Sequence, residues 1–193
     1  MYSPDEIINI FKEKEVLLSG HFLLTSGRHA ANYMQCAKLL QYPDIAGKLC
    51  SQLAGYFADS GVSVVAGPAT GAIIIAYEVA RALGVRSIFT ERENEIMSLR
   101  RGFNVSADDK VLVVEDVITT GGSVREVIDL MREKGASVVG AGVWVDRSAG
   151  KIDFGVPLRS LISLEIESFD PKECPLCKEG KIPVIKPGSR NNR

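Results

Sequence analysis

"VLVVEDVITTGGSV", residues 111–124, is the stretch on which the fold turns. Val111–Val114 form a short continuous apolar run, which suits a strand covered on both faces. The run meets two adjacent carboxylates, Glu115 and Asp116, and continues through Val117 and Ile118 to Thr119, Thr120, Gly121, Gly122 and Ser123. Small and hydroxylated residues in that order suit a loop opening a helix. Glycine lets the backbone approach a ligand closely, and the hydroxyls donate hydrogen bonds. Ser123 and Glu126 have the spacing of a capping box, which places the expected helix start near Ser123.

A helix start offers unpaired N–H groups and the positive end of a dipole, which favours a phosphate. Ionised carboxylates only accept hydrogen bonds. A neighbouring pair at the carboxyl end of a parallel strand can therefore hold the two adjacent hydroxyls of a ribose. The stretch reads as a grip on a sugar phosphate. A plain strand-to-helix turn would explain Ser123 and one glycine, but not two acids followed by five phosphate-friendly residues. No G-x-x-x-x-G-K-S/T occurs, and no G-x-G-x-x-G follows the first strand of the repeating pattern, so two other nucleotide loops are set aside.

Outward from this centre the chain alternates. "VSVVA" (62–66), "VRSIFT" (85–90), "KVLVVE" (110–115), "SVVGAGVWVD" (137–146) and "LRSLISLEI" (158–166) read as strands. "AIIIAYEVARAL" (72–83) and "VREVIDLMREK" (124–134) read as helices closed by Gly84 and Gly135. The class is α/β, a mainly parallel sheet flanked by helices. Upstream, Ser3, Pro4 and Glu6 start a helix with Ile7, Ile10 and Phe11 on one face. After Pro43, Ile45, Leu49, Leu53 and Phe57 recur every fourth residue in a helix expected to stop near Gly61.

The 193 residues suit one domain, 1–170, with a tail over 171–193. In that tail Lys172, Lys178, Lys181, Lys186, Arg190 and Arg193 face only Glu173 and Glu179. A net charge of −1 gives no bulk attraction to nucleic acid or an acidic membrane. No apolar run reaches the ~18 residues of a membrane span. The acidic, amphipathic N-terminus lacks the pattern of a secretory signal. Four cysteines are too few for a disulfide scaffold, so a cytoplasmic location is expected.

"VLVVEDVITTGGS" closely resembles the phosphoribosyl-diphosphate (PRPP) signature of the type I phosphoribosyltransferases. Three further segments look like the orotate branch of that family. "LTSGRHAANYMQC" (24–36) is similar to its N-terminal hood segment, "GPATGAIIIA" (67–76) to its diphosphate loop, and "WVDRSAG" (144–150) to the strand-end Asp-Arg beside orotate. The resemblance runs over roughly residues 20–165. It implies a type I phosphoribosyltransferase-like sheet with a small hood drawn from 1–40 and parts of 145–170. It further implies transfer of ribosyl 5-phosphate from PRPP to N1 of orotate, giving orotidine 5-phosphate and diphosphate.

Residue by residue, the resemblance places Glu115 and Asp116 at the ribose as catalytic groups. PRPP would also meet Val117, Ile118, Thr119, Thr120, Gly121, Gly122, Ser123, Gly67, Pro68, Ala69, Thr70 and Arg92. Orotate would meet Thr119, Arg147, Tyr33, Met34 and Ser26. Mg²⁺ would arrive with PRPP, with Asp116 as the one possible protein ligand. A homodimer is implied, its lid loop reaching the neighbouring site.

Several residues leave alternatives open. Arg147 offers a fork for carboxylate and carbonyl oxygens, or an ordinary strand-end ion pair. Gly67 and Gly71 are turn glycines, or they expose N–H groups to diphosphate. Tyr33 and Met34 cover a flat pyrimidine or belong to the core. The expected lid, "ERENEIMSLRRGF" (91–103), departs from familiar orotate enzymes in lacking lysine and histidine. Its cations are Arg92, Arg100 and Arg101, interrupted by Glu91, Glu93 and Glu95, so a solvated charged loop competes with a lid. Thr25 stands where the best-known members have lysine.

A purine-type phosphoribosyltransferase for adenine or xanthine would share the 111–124 motif. A PRPP-sensing regulator would need a nucleic-acid-reading part that only the basic tail could supply. Cys174-x-x-Cys177 is half of a zinc-ribbon pattern, with Cys36 and Cys50 in unrelated elements. Two chains could share one zinc through such pairs, but the expected arrangement is an unligated tail over the subunit surface. A redox role is not supported, since this pair is not expected to open a helix after a strand.

Overall fold

In the computed structural model, which describes residues 1–24 and 26–187, the chain runs from α1 (Pro4–Glu13) into the hairpin β1 (Leu17–Leu23) and β2 (His29–Met34). After α2 (Pro43–Gly55) come β3 (Val64–Pro68), α3 (Ala72–Leu83), β4 (Arg86–Glu93) and β5 (Ile96–Leu99). Then follow β6 (Lys110–Ile118), α4 (Gly122–Glu133), β7 (Ser137–Asp146), β8 (Leu158–Ser163), β9 (Ser168–Phe169) and α5 (Pro175–Glu179). Thr25, Arg190 and Arg193, singled out above, lie outside the described residues.

Six strands form one sheet in the order β5-β4-β3-β6-β7-β8, parallel throughout except for β4 against β5. Alternation along the central strands supplies two cores. Val65, Leu112, Val114 and Val145 join Leu49, Leu53, Ile75 and Val79 of α2 and α3. Val64, Ala66, Val111, Val113 and Val143 join Val124, Val127, Ile128 and Met131 of α4. Helices thus cover both faces, as continuous apolar strands require. The chain leaves β3 towards one edge and β6 towards the other, so the order reverses between these two strands. In open α/β sheets that reversal opens a ligand crevice at the carboxyl ends.

The Ser3 capping box forms: Glu6 N–H donates to Ser3 Oγ at 3.3 Å and Ser3 N–H to Glu6 Oε2 at 2.7 Å. Other expectations need correction. Helix α2 ends at Gly55 rather than near Gly61. Phe57 is nonetheless buried, because its ring fills the space left by Gly140 and Gly142 on β7; a Cβ at Gly140 would sit 2.5 Å from that ring. Strand β6 continues through the acid pair to Ile118 instead of stopping at Glu115. Helix α4 starts at Gly122 behind Gly121, so Ser123 lies inside the first turn and makes no cap. Glu126 turns instead to Arg92.

The expected polar loop after residue 90 is a β-hairpin. Asn94 and Glu95, both at positive φ (50° and 68°), join β4 to β5 as a two-residue connection. Such turns match the right-handed twist of paired strands. Met97 is buried from the hairpin's inner face, while Ile96 is 69% exposed near its tip.

A second, smaller sheet has the order β1-β2-β9, all antiparallel. The tail returns to it: Ile185 N–H donates to the His21 carbonyl at 2.8 Å, and Leu23 N–H donates to the Ile185 carbonyl at 2.9 Å. Arg28, in the β1–β2 connection, donates through Nε to Ser168 Oγ at 2.9 Å. Cys174 and Cys177 do open a helix, contrary to expectation, since Cys174 precedes α5 directly.

Candidate active site

Glu115 and Asp116 lie half-buried near the carboxyl end of β6, beside the strand-order reversal. The Asp116 N–H donates to Glu115 Oε1 at 3.1 Å, and the Val117 N–H donates to Asp116 Oδ1 at 2.7 Å. Burial pushes the Glu115 carboxyl well up, and the neighbouring Asp116 charge adds to it. Burial also raises Asp116, opposed by the hydrogen bond from Val117. Among the described residues, no cationic side chain contributes to either shift. Two acids held together without a positive partner suit a site that receives hydroxyl donors or a cation with its ligand.

Beyond the pair, Val117–Val124 wrap a cleft of about 310 Å³ that Arg92 and Glu126 complete. Thr119 and Thr120 are exposed in its loop. Gly121 has φ 73°, and a Cβ there would meet Phe154 at 2.7 Å. Only glycine satisfies both conditions, and the tight turn leaves the first N–H groups of α4 open to the cleft.

A second hollow of about 580 Å³ adjoins it. It is lined by Pro68, Ala69 and Gly71 together with Arg92, Met97, Glu115, Asp116, Val117 and Ser123. The loop after β3 therefore faces the acid pair; a Cβ on Gly71 would lie 3.5 Å from Asp116 Oδ2. Gly67 is explained by packing, since a Cβ there would sit 2.8 Å from the Ala72 carbonyl oxygen. Thr70 is exposed in the same loop. A groove of about 700 Å³ between α1 and α2 is larger, but it lies away from the acid pair and the α4 start.

Arg147 approaches from the end of β7. Its backbone N–H donates to the Ile118 carbonyl at 2.9 Å, and its half-buried side chain leaves Nε buried without a hydrogen-bond partner among the described residues. Burial lowers the guanidinium's hold on its proton, with Cys36 and Tyr33 acting in the opposite direction. The buried Cys36 thiol is pushed well up by burial, then by Asp116 and Glu115, while Arg147 draws it down. The end of β2, the acid pair and Arg147 thus share one neighbourhood.

Tyr33 is half-buried, with its hydroxyl donating to Gln35 Oε1 at 3.0 Å. Met34, 6% exposed, belongs to the core. Ser26 is exposed in the β1–β2 connection, and no hydrogen bond among the described residues joins it to Arg147 or the acids.

The three arginines of 91–103 are all engaged. Arg92 Nη2 lies 2.7 Å from Glu126 Oε2 and its Nη1 donates to the Glu95 carbonyl at 2.8 Å. Arg101 makes a two-pronged contact with Glu91 at 2.9 and 3.0 Å. Arg100 lies 3.6 Å from Glu93. Of the three, Arg92 alone lines the two hollows. Sequence reasoning missed Glu126 as its partner, because the capping-box spacing had given that carboxylate another role.

A model of the phosphoribosyl transferase domain matches residues 37–155. The chain is 59% identical over 188 residues to an orotate phosphoribosyltransferase of Caldicellulosiruptor bescii, covering 97% of this chain and 98% of that one. It is 59% identical over 186 residues to the Pelotomaculum thermopropionicum protein of the same name, covering 96% and 97%. Among solved structures, the orotate phosphoribosyltransferase of Aeropyrum pernix matches with a TM-score of 0.71 and 28% identity, covering 82% of this chain and 93% of that one.

Proposed function

The chain belongs to the phosphoribosyltransferase family, among its orotate phosphoribosyltransferases, and on that premise we propose how its own residues serve the reaction. The enzyme transfers ribosyl 5-phosphate from PRPP to N1 of orotate, with diphosphate leaving. As the bond to diphosphate opens, positive charge grows on the ribose and negative charge on the leaving group.

The observation that carries the assignment of residues is that Glu115 and the α4 start line one cleft, while Glu115 and Asp116 together line the hollow that adjoins it. The 5-phosphate seats on the N–H groups behind Gly121, helped by the hydroxyls of Thr119, Thr120 and Ser123. Glu115 and Asp116 accept the ribose hydroxyls and face the positive charge as it develops. Diphosphate extends towards Pro68, Ala69 and Gly71, within reach of Arg92. Arg147 receives orotate, and its partnerless buried Nε supports this role, because a buried donor is rarely left unpaired. Tyr33 stands on the same side. Orotate's ring nitrogen is already acidic, so orientation supplies much of the acceleration.

The acid pair fits Mg²⁺ brought in by PRPP, with two half-buried carboxylates that, among the described residues, no cationic side chain shifts. Asp116 is the residue that would touch it, the other ligands being substrate oxygens and water. Bound there, the ion would offset the negative charge of diphosphate.

The homodimer reading is supported by the exposed Ile96 near the hairpin tip, a position from which the lid would reach a second copy. Sedimentation of the protein against concentration tests that part alone. The free cysteines accord with a cytoplasmic setting.

The test of substrate choice is product formation with orotate, uracil, adenine and xanthine, each with PRPP and Mg²⁺. Turnover confined to orotate is expected; turnover of adenine or xanthine in its place would overturn the reading.

A further inference from the structure

The tail brings Cys174 and Cys177 against two histidines of the hood hairpin, His21 on β1 and His29 on β2. Their ligand-capable atoms all lie within 4.8 Å of one another. His21 Nε2 is 2.9 Å from His29 Nδ1, 3.4 Å from Cys174 Sγ and 3.6 Å from Cys177 Sγ. Cys177 Sγ is 3.3 Å from His29 Nδ1. Three of the four residues are buried: Cys174 is 0% exposed, His21 1% and His29 7%.

We propose that His21, His29, Cys174 and Cys177 form a structural Zn²⁺ site that fastens the C-terminal tail to the hood hairpin.

Hydrogen bonding alone accounts poorly for this grouping. His21 Nδ1 sits 3.1 Å from the Ile182 carbonyl, which can only accept, so the ring proton belongs on Nδ1. Nε2 is then left with a single lone pair facing an imidazole nitrogen and two sulfurs. One lone pair accepts one good hydrogen bond, whereas a cation in the middle satisfies all four donor atoms at once. The Ile182 carbonyl also provides the outer contact that orients metal-bound histidines and fixes their tautomer.

The dimensions agree with a tetrahedral ion. Zn–S of about 2.3 Å and Zn–N of about 2.0–2.1 Å set the N···S edges near 3.6 Å. The three N···S separations given above are 3.4, 3.6 and 3.3 Å. The 2.9 Å between nitrogens falls below the tetrahedral edge of about 3.4 Å, so the imidazoles spread by roughly half an ångström around the ion. Two thiolates and two imidazoles favour zinc over the hard ions Mg²⁺ and Ca²⁺, which select oxygen. Four protein ligands close the shell, which marks a structural rather than a catalytic centre.

The site joins segments far apart in sequence. Its frame is already in place, with the Ile185 backbone bonded to His21 and Leu23, and the Arg28 side chain bonded to Ser168. The ion would lock that frame and steady the β1–β2 connection that carries Ser26. Any consequence for orotate use rests on the reading of the active site above; metal content does not.

The experiment uses the full chain without a histidine tag, purified under reductant and without chelators. Elemental analysis is expected to give about one zinc per chain. Removal of zinc and addition of Co²⁺ should yield a visible spectrum of a tetrahedral centre with a thiolate-to-cobalt charge-transfer band. Cys177→Ser should reduce the zinc content, and His21→Asn with Cys177→Ser should abolish it. Chelation of the wild-type protein should speed tryptic cleavage within residues 170–187 while the core stays folded. Absence of stoichiometric zinc together with absence of the cobalt–thiolate band overturns the proposal, as does zinc that survives the double substitution. The cobalt spectrum is read on the wild-type chain, so a variant that fails to fold does not blunt the test. Loss of orotate turnover with the zinc count intact would count against the active-site reading alone.

Discussion

Arg92 and Glu126 face each other in the lining of the cleft at the α4 start, with Nη2 2.7 Å from Oε2 and 3.0 Å from Oε1. The pair ties the β4–β5 hairpin to α4. A guanidinium so occupied must change partners to meet an incoming anion. Both side chains are more than two-fifths exposed, so the pair contributes little to stability, about 0–1 kcal/mol. Glu126→Gln should therefore leave the melting temperature nearly unchanged and lower the KM for PRPP roughly two- to fivefold. Arg92→Ala should raise that KM by about tenfold or more, the loss of a charge-assisted contact. Steady-state kinetics on both variants checks the exchange; equal and opposite effects on kcat alone would refute it.

In the proposed arrangement Asp116 faces the positive charge that develops on the ribose. Asp116→Asn keeps the shape and removes the charge, so kcat should drop on the order of 10²-fold while the KM for PRPP moves far less. An unchanged kcat would take Asp116 out of the mechanism.

Arg147 leaves a buried N–H without a partner, as a receptor for an anionic ring would. Arg147→Ala should raise the KM for orotate on the order of 10²-fold and spare the affinity for PRPP. Arg147→Lys should recover little of it, because an ammonium cannot reproduce the planar fork. Separate titrations with orotate and PRPP distinguish this role from a general loss of structure.

Glu115 should make the ligand-free protein sensitive to alkali. Burial first, and the Asp116 charge second, hold its carboxyl above the ordinary value of 4.5, to which unfolding returns it. Between the ordinary carboxylate range and the raised folded value, the native state binds more protons than the unfolded one. Stability from this group therefore falls as pH rises through that window. Glu115→Gln should raise the melting temperature more at about pH 8.5 than at about pH 5. Each kcal/mol regained corresponds to roughly 2–4 °C in a chain of this size. A melting difference independent of pH would show that Glu115 is not held protonated.

Much of this was legible because the signals were local. The apolar run, acid pair and glycines of 111–124 lie on one strand–loop–helix unit, and the helices closed by Gly84 and Gly135 carried their own stop signals. The hairpin of β4 and β5 was not legible because Glu91, Glu93 and Arg92 hide the alternation that places Met97 inward, and because Asn94-Glu95 is a turn without glycine. The Ser123–Glu126 spacing misled because Gly121, a backbone requirement invisible in a motif, starts α4 earlier. The His–Cys cluster escaped notice for a different reason. A Cys-x-x-Cys spacing points to further cysteines, whereas the residues beside Cys174 and Cys177 are histidines brought there by the pairing of β1 with β2 and by the tail's return to β1.

The fit of Phe57 into the notch at Gly140 and Gly142 binds the future of three positions together. A methyl added to the strand evicts the ring, and a smaller side chain in place of the ring leaves a void. Neither change is easily accepted first. A lineage, or a designer, wishing to alter that corner must replace the aromatic and at least one of its glycine hosts in concert.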